Sequence, residues 1–555
     1  MLAATMKLLL AAALGGALAA GARAADDKTD PAHLAGVMAA AKLELGDLLL
    51  AGGIDAAGTD AALAFYARVS ASAAPGAIVA VMPPSNFATG AKARPDPDRA
   101  LTLYADALSA GQTDALLRLG DLYSDGKAIT ADLAKAFDYY QRAAAAGSTT
   151  AELRVGQMYA LGRGTPQDVN KGRAIVGDLA HKDNVAALEL LGDLLTRPDA
   201  GPVDPKAAID AYERAAALGQ VDSLVRLGNL FHEAVLLPAD EARAYAYYQR
   251  AMDAGSDAGK IRVGELLVRG LGVPADPPRG LALIESVAAS GNSDALNLLG
   301  DIYSGDTATS VTVDLAKGFY DYSKAAAQGS NQGKLRVGEM LVRGQGVTPD
   351  RARGLQLMSS VASGGDARAY MALGDVLTDT TLLQTDAPAA VAAYQHAAEL
   401  GANDAYLLLG DLLSDGKLLP AQLSVAFGSY EKAAAAGSQT AQLRVGQMTA
   451  LGQGTAKRFE DGVRIVQEVA DTGSAPALLL LGDLLVGPDA PTPDVNRALA
   501  AYESAGSLGD QDAWLRLGDI YRDGTLVPLD GNKAAFYYLK ATAAATPGVP
   551  KDVGK

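Results

Sequence analysis

Chemistry at neutral pH needs a side chain that can move a proton, attack a substrate or hold a metal, and this sequence offers few such arrangements. Its four histidines, His33, His181, His232 and His396, are widely separated. None has a second histidine or a carboxylate at a metal-ligand spacing that recurs elsewhere. His232-Glu233 begins like a zinc-protease helix, but that pattern needs a second histidine where Leu236 stands. No serine lies in a nucleophile-elbow sequence. The absence of cysteine excludes disulfides, cysteine nucleophiles and thiolate metal sites. Four Gly-x-Gly triplets resemble phosphate cradles: Gly162-Arg163-Gly164, Gly270-Leu271-Gly272, Gly344-Gln345-Gly346 and Gly452-Gln453-Gly454. They follow helical segments rather than strands, and no P-loop Lys-Ser/Thr comes after them. They are expected to be tight turns. The expectation is a protein with no catalytic residues, no metal and no cofactor.

What recurs instead is charge and tyrosine, in register with a glycine. Dipeptides ending in glycine place an anchor at Gly46, Gly120, Gly156, Gly192, Gly228, Gly264, Gly300, Gly338, Gly374, Gly410, Gly446, Gly482 and Gly518. Two residues before the anchor stand Arg118, Arg154, Arg226, Arg262, Arg336, Arg444 and Arg516. One residue after it stand Asp47, Asp121, Asp193, Glu265, Asp301, Glu339, Asp375, Asp411, Asp483 and Asp519. Positions three apart share a helix face, so a ladder of pairs is expected within each helix. The candidate groove contacts are Arg118, Asp121, Arg154, Arg226, Arg262, Glu265, Arg336, Glu339, Arg444, Arg516 and Asp519. Two uses fit them. One is solvated ion pairs that set stacking register, each worth roughly 0–1 kcal/mol. The other is a polar groove for an extended peptide or partner loop. Acids outnumber arginines in these columns, which disfavours a polyanion, and the net charge of −16 argues against nucleic acid.

Twenty residues after the anchor, most units carry tyrosine, as at Tyr66, Tyr140, Tyr212, Tyr248, Tyr394, Tyr430, Tyr502 and Tyr538; Tyr322 follows an insertion of two, and Tyr104 belongs to a unit without an anchor. Four units carry Val176, Ile284, Met358 and Val466 instead, and these are the units with the Gly-x-Gly turn. The tyrosine column fits packing between helices; a carbohydrate-stacking stripe is the alternative. Trp514, three residues from Leu517, fits a core position.

The elements that place these columns follow from one period. From Gly120 onward the anchor step is 36 residues, except for 38 between Gly300 and Gly338. Such a period means stacked repeats. Each unit reads as two helices: Asp132 caps a second helix after the turn at Asp125-Gly126, and Gly147 closes it in a left-handed conformation. The closing glycine recurs nine residues before almost every anchor, with Asp183 as its one replacement. The anchor itself lies inside a helix, where glycine costs about 1 kcal/mol against alanine. Its recurrence implies that a second helix crosses close by.

The residues Leu119, Gly120, Tyr123, Gly126, Asp132, Lys135, Ala136, Tyr139, Tyr140, Ala143, Ala144 and Gly147 resemble the Sel1-like repeat, a relative of the tetratricopeptide repeat. The resemblance implies an all-α fold, a right-handed α-solenoid of about fourteen 36-residue helix-turn-helix repeats, with first helices lining the concave side. It also implies an adaptor. The gap of 74 residues from Gly46 to Gly120 leaves room for two units. The expected organisation is an N-terminal repeat over 25–76, a degenerate repeat over 77–111 broken at Pro83-Pro84, regular repeats over 112–545 and a disordered tail over 546–555. Residues 1–24 have the layout of a secretory signal, with Lys7, an apolar run from Leu8 to Ala20 and Ala22-Arg23-Ala24. The expected location is therefore the periplasm. Long secreted arrays resemble the Sel1-like component of alginate-type exopolysaccharide secretion complexes. That resemblance implies a scaffold for an outer-membrane porin and periplasmic enzymes, although this chain lacks a lipidation cysteine and has more repeats. A soluble regulator of a sensor kinase's outer domain is a second expectation. Glycan or peptidoglycan binding through the tyrosine column is a third. The final helix, with Phe536, Tyr537 and Tyr538, is expected to show an apolar face that a partner or a second copy covers.

Overall fold

The computed structural model describes residues 31–52, 54, 56–71, 94–382 and 384–544. The expected signal peptide, the Pro83-Pro84 break and the 546–555 tail lie outside them. The described residues form an all-α repeat solenoid of 27 α-helices and one short 3₁₀ turn, and include no strand. Two compact units divide at Ala275/Asp276. The first contains five glycine-anchored helix pairs and ends on the helix Asp257–Arg269. The second begins with the helix Pro277–Ala288 and continues with seven pairs.

Local chemistry sets each pair. In the unit of Gly120, the first helix is Asp114–Asp125 and ends at Gly126, whose φ of 66° is the left-handed conformation. The second, Leu133–Ala145, starts at Asp132, whose carboxylate accepts the Lys135 N–H at 3.0 Å. The Asp132 N–H donates back to the Tyr123 carbonyl at 2.8 Å and fixes the turn. The same link recurs from Asp168 to Tyr159, from Asp204 to Leu195 and from Asp240 to Phe231. The closing position behaves as expected: Gly147 has φ 97°, and Asp183 adopts φ 55°. The Gly-x-Gly triplets are turns, with both glycines left-handed at Gly162 and Gly164 (φ 65° and 70°) and at Gly452 and Gly454 (71° and 70°).

The first repeat differs from the sequence expectation. Helix Pro31–Leu50 pairs with Pro97–Ser109 rather than with Ala56–Ala71. Four repeat landmarks show the pairing. Gly52 ends the first helix region with φ 64°, as Gly126 does. The Asp96 N–H donates to the Leu49 carbonyl at 3.2 Å, the same turn link as from Asp132 to Tyr123. Asp96 caps its helix through the Arg99 N–H at 3.1 Å. Tyr104 lies against Gly46. The helices Pro31–Leu50 and Pro97–Ser109 thus form one repeat, and the helix Ala56–Ala71 lies between them in the chain. Among the described residues the anchors mark thirteen first helices. A surplus in a surface turn costs little more loop entropy than a short one, so the interruption leaves the stacking register intact.

Candidate interaction groove

The groove is built from the anchor outward. A Cβ at Gly120 would lie 2.5 Å from Cε1 of the Tyr140 ring, and one at Gly482 would lie 2.5 Å from Cε1 of Tyr502. Tyr212, Tyr248, Tyr394 and Tyr430 cover Gly192, Gly228, Gly374 and Gly410 in the same way. The missing Cβ therefore makes room for a ring, not for bare backbone. These rings are interior: Tyr104, Tyr140, Tyr248, Tyr322, Tyr430 and Tyr502 are at most 2% exposed. That corrects the glycan-stacking expectation, because a buried ring offers no face to a sugar. Trp514 is likewise core, 6% exposed and stacked 5.8 Å from the Tyr537 ring.

Three of the units without this tyrosine solve the crossing differently. A Cβ at Gly156 would lie 2.8 Å from Cγ2 of Val176 and 3.1 Å from the Gly172 carbonyl. A Cβ at Gly172 would in turn meet the Gly156 carbonyl at 2.5 Å. Gly338 and Gly354 face each other in the same manner, as do Gly446 and Gly462. Here two glycines let two backbones meet. The second glycine was legible as a column sixteen residues after the anchor, where the tyrosine units carry Ala136, Ala208, Ala244, Ala390, Ala426 and Ala498, with Gly318 of the Tyr322 unit as an exception.

Each tyrosine hydroxyl reaches the groove and donates to the residue after the anchor. The distances are 2.6 Å for Tyr104 to Asp47, 2.7 Å for Tyr140 to Asp121, 2.7 Å for Tyr212 to Asp193 and 2.9 Å for Tyr502 to Asp483. Tyr248 donates to Asn229 Oδ1 at 2.7 Å. Burial first, and the carboxylate that accepts the proton second, push the hydroxyls of Tyr104, Tyr212, Tyr322 and Tyr394 well above the ordinary value of 10.0.

The arginines bond the other way from the expectation. Arg118 Nε lies 3.0 Å from both carboxylate oxygens of Asp47, in the preceding repeat. Arg226 reaches Asp193 at 2.5 Å and Arg516 reaches Asp483 at 3.0 Å, again one repeat back. The expected pairing three residues apart occurs at Arg262–Glu265 (2.8 Å) and Arg336–Glu339 (3.0 Å). Glu265 also accepts from Arg269 at 3.1 Å, and Arg336 also reaches Asp306 at 3.3 Å. Asp519 accepts from Tyr538 at 2.7 Å and pairs with Arg522 at 2.9 Å. Arg444 comes no nearer than 3.9 Å to Asp411. Arg154 forms no hydrogen bond or ion pair with the described residues, although it lines the same recess as Asp121 and Tyr140.

The physical reason is a three-residue relay across the stack. The buried tyrosine fixes its aspartate, and the aspartate presents its free side to the next repeat's arginine. The sequence carries this rule. Asp, or Asn229, follows the anchor in tyrosine units, whereas Gln157, Glu265, Glu339 and Gln447 follow it in the others. The repeat after a unit without tyrosine has Leu190, Leu298, Ala372 or Leu480 in place of arginine. Leu408, after Tyr394 and Asp375, departs from the pattern. A position-by-position comparison of successive units, rather than within one helix, would have found the relay.

Other candidates are local. His232 Nδ1 lies 2.8 Å from Glu241 and His396 Nδ1 lies 3.1 Å from Glu399. Among the described residues no three His, Asp or Glu side chains form a group able to hold a metal. No helix among them is long and apolar enough to cross a membrane. On the last helix Tyr537 is buried, while Phe536 and Leu539 are 53% and 69% exposed. The expected apolar face is therefore real but narrower than three aromatic residues.

A solenoid of paired helices, locked by glycine at each crossing and polar along one face, is the architecture of a helical-repeat interaction protein. The model of the Sel1 repeat matches nine segments: 113–148, 149–175, 185–220, 221–256, 258–292, 293–330, 332–366, 403–438 and 512–545. They make up more than half of the chain, which belongs to the Sel1 repeat family. Among solved structures the chain is similar to a protective antigen of uropathogenic Escherichia coli strains displaying an SLR fold. That match has 26% identity and a TM-score of 0.39, covering 80% of this chain and 89% of the other. It is also similar to a Sel1 repeat protein from Oxalobacter formigenes, at 27% identity and a TM-score of 0.38, covering 49% of this chain and 79% of the other. A sel1 repeat protein from Klebsiella pneumoniae matches at 23% identity with a TM-score of 0.27, over 37% of this chain and 98% of that one. No curated protein matches the chain significantly. Sel1 repeat proteins are in general scaffolds for protein–protein interaction.

Proposed function

We propose that this protein is a non-enzymatic scaffold of the bacterial periplasm that holds envelope proteins together, with exopolysaccharide export as the process it serves. One observation carries the scaffold reading: the polar groups are distributed one set per repeat along a face, instead of converging on one point. Catalysis needs convergence of nucleophile, base and charge stabiliser on a single atom. Recognition of an extended partner needs repetition. The secretory layout of residues 1–24 supports the location. The resemblance to the array in alginate-type secretion complexes supports the process.

Crosslinking in the native cell, followed by purification of the full chain and mass spectrometry, tests the proposal. Outer-membrane porins or periplasmic polysaccharide enzymes are the expected adducts. A sensor kinase's outer domain as the dominant adduct would replace the export role with a regulatory one. Adducts confined to cytoplasmic proteins would overturn the location and the process together.

A further inference from the structure

Two of the column arginines form no hydrogen bond to a carboxylate, and they occupy equivalent places: Arg154 has no ion pair with the described residues, and Arg444 has only a 3.9 Å contact with Asp411. Arg154 lines a recess of about 830 Å³ in the first unit, and Arg444 lines one of about 920 Å³ in the second. The centres of the recesses correspond at a fixed offset, with Asp121, Tyr140, Gln157 and Met158 in one and Asp411, Tyr430, Gln447 and Met448 in the other, while Arg118 and Arg163 of the first have Leu408 and Gln453 as counterparts. Lys127 and Lys417 stand on the rim of each, the latter 3.5 Å from Asp415. Elsewhere the guanidinium is engaged: Arg118, Arg226 and Arg516 by the preceding aspartate, Arg262 and Arg336 by a glutamate three residues on. At Arg154 and Arg444 that third residue is glutamine, so the internal carboxylate is missing. The aspartate one repeat back accepts from Tyr140 or Tyr430, each at 2.7 Å, but Arg154 and Arg444 do not close the hydrogen bond that Arg118, Arg226 and Arg516 make to theirs.

We propose that these two recesses are equivalent recognition sites for a carboxylate presented by an acidic peptide of a partner protein, with Arg154 and Arg444 as the anion contacts and Gln157 and Gln447 as the neighbouring amide donors. The inference rests on the scaffold reading and names the partner's chemistry. A planar guanidinium matches a carboxylate in a two-point fork. The carboxamide beside it donates to the same oxygens or to the peptide backbone. The nearby Asp121 and Asp411 repel a group of higher charge, so a monoanionic carboxylate suits the site better than a phosphate ester. The repeats of Gly264 and Gly338 carry the same arginine with its carboxylate built in, at Glu265 and Glu339. They are the closed form of the open sites.

The test uses the full-length secreted chain and fluorescence anisotropy with three labelled probes. One is a capped Gly/Ser peptide carrying two adjacent aspartates. The second is its asparagine analogue. The third is a Gly/Ser peptide whose single carboxylate is a free C-terminus. The account expects saturable binding of a carboxylate probe at two equivalents per chain, with the asparagine analogue at least about tenfold weaker. The probe that binds distinguishes a side-chain from a chain-terminal carboxylate. Gln157→Glu and Gln447→Glu together should copy the closed repeats and weaken binding about tenfold or more, with helicity and melting unchanged. Either substitution alone should leave one equivalent. Arg154→Ala with Arg444→Ala should act alike if the glutamates perturb folding. Equal binding of the asparagine analogue, stronger binding of a phosphoserine peptide, or indifference to both double variants would overturn the inference. If no probe binds while the cellular adducts persist, this inference fails and the scaffold reading stands.

Discussion

Gly228 and Gly428 are both helical glycines, yet their surroundings assign them opposite roles. A Cβ at Gly228 would fall inside the Tyr248 ring's contact distance, while one at Gly428 would meet nothing within 4 Å. Gly428→Ala should therefore gain the usual helix preference of about 1 kcal/mol and raise the melting temperature. Gly228→Ala gains the same preference but overpacks the crossing, at a cost of about 1–3 kcal/mol, and should melt lower. Equal shifts in thermal melts of the two variants would show that the ring does not set the crossing. The hydroxyl end of the column makes a second, smaller contribution. Tyr502→Phe removes the bond to Asp483, and a loss of roughly 1 kcal/mol is expected. The aspartate is 36% exposed and keeps Arg516, so it is not left buried and unpaired. Alkaline titration reads the same groups. Folded-state values above the ordinary 10.0 at Tyr104, Tyr212 and Tyr322 mean that the native chain holds protons which the unfolded chain releases. Their contribution is complete below about pH 10 and falls as pH rises past it. In absorbance titration these tyrosines should ionise only as helicity is lost; ionisation near the ordinary value in a fully helical chain would contradict their burial.

The pairing of helices was mostly legible in the sequence, and the reasons for the exceptions are physical. Caps and closing glycines are local, so Asp132, Gly147 and Asp183 could be placed from a single unit. The partner of a helix is not local. Tyr66 and Tyr104 both fit the column by count or by composition, and only packing decides that Tyr104 covers Gly46. The arginine column failed for a related reason. Spacing of three made Arg118 and Asp121 look like partners, but Asp121 is taken by Tyr140 and Arg118 turns to Asp47. Stacking distance between repeats is invisible to a helical wheel, although the absence of arginine after the units of Val176, Ile284, Met358 and Val466 records it. The split first repeat predicts a tolerated deletion. Excision of residues 54–91 restores the 36-residue step between Gly46 and Gly120 and leaves Asp96 at its regular capping place. The pair Pro31–Leu50 and Pro97–Ser109 should persist, at a modest cost from losing the buried Ile54. Hydrogen exchange over residues 38–50 reports the outcome; loss of protection there would mean that the inserted helix is part of the pair.

At the scale of each compact unit, glycine anchors set one crossing after another, and the relay of tyrosine, aspartate and arginine joins a repeat to its neighbour. Most of the charges that looked available for partners are thereby used within the stack. Each such pair is half-exposed and adds little stability alone, but together they fix register. What remains open is a smaller surface, and Arg154 and Arg444 mark it. Which arginines stay without a hydrogen bond was not legible from the charge columns, because a bonded arginine and an unbonded one have the same letter. The central claim is that the polar groove face binds other proteins. Site-specific photocrosslinking in the native cell tests it most directly, with the crosslinking residue placed at Arg163 and at Gln453 on the two recesses, and at exposed Leu218 and Leu400 as controls away from them. The account predicts discrete protein adducts from both recess positions, shared between them and absent from the controls. Adducts from the controls alone, or none from either recess, would contradict it.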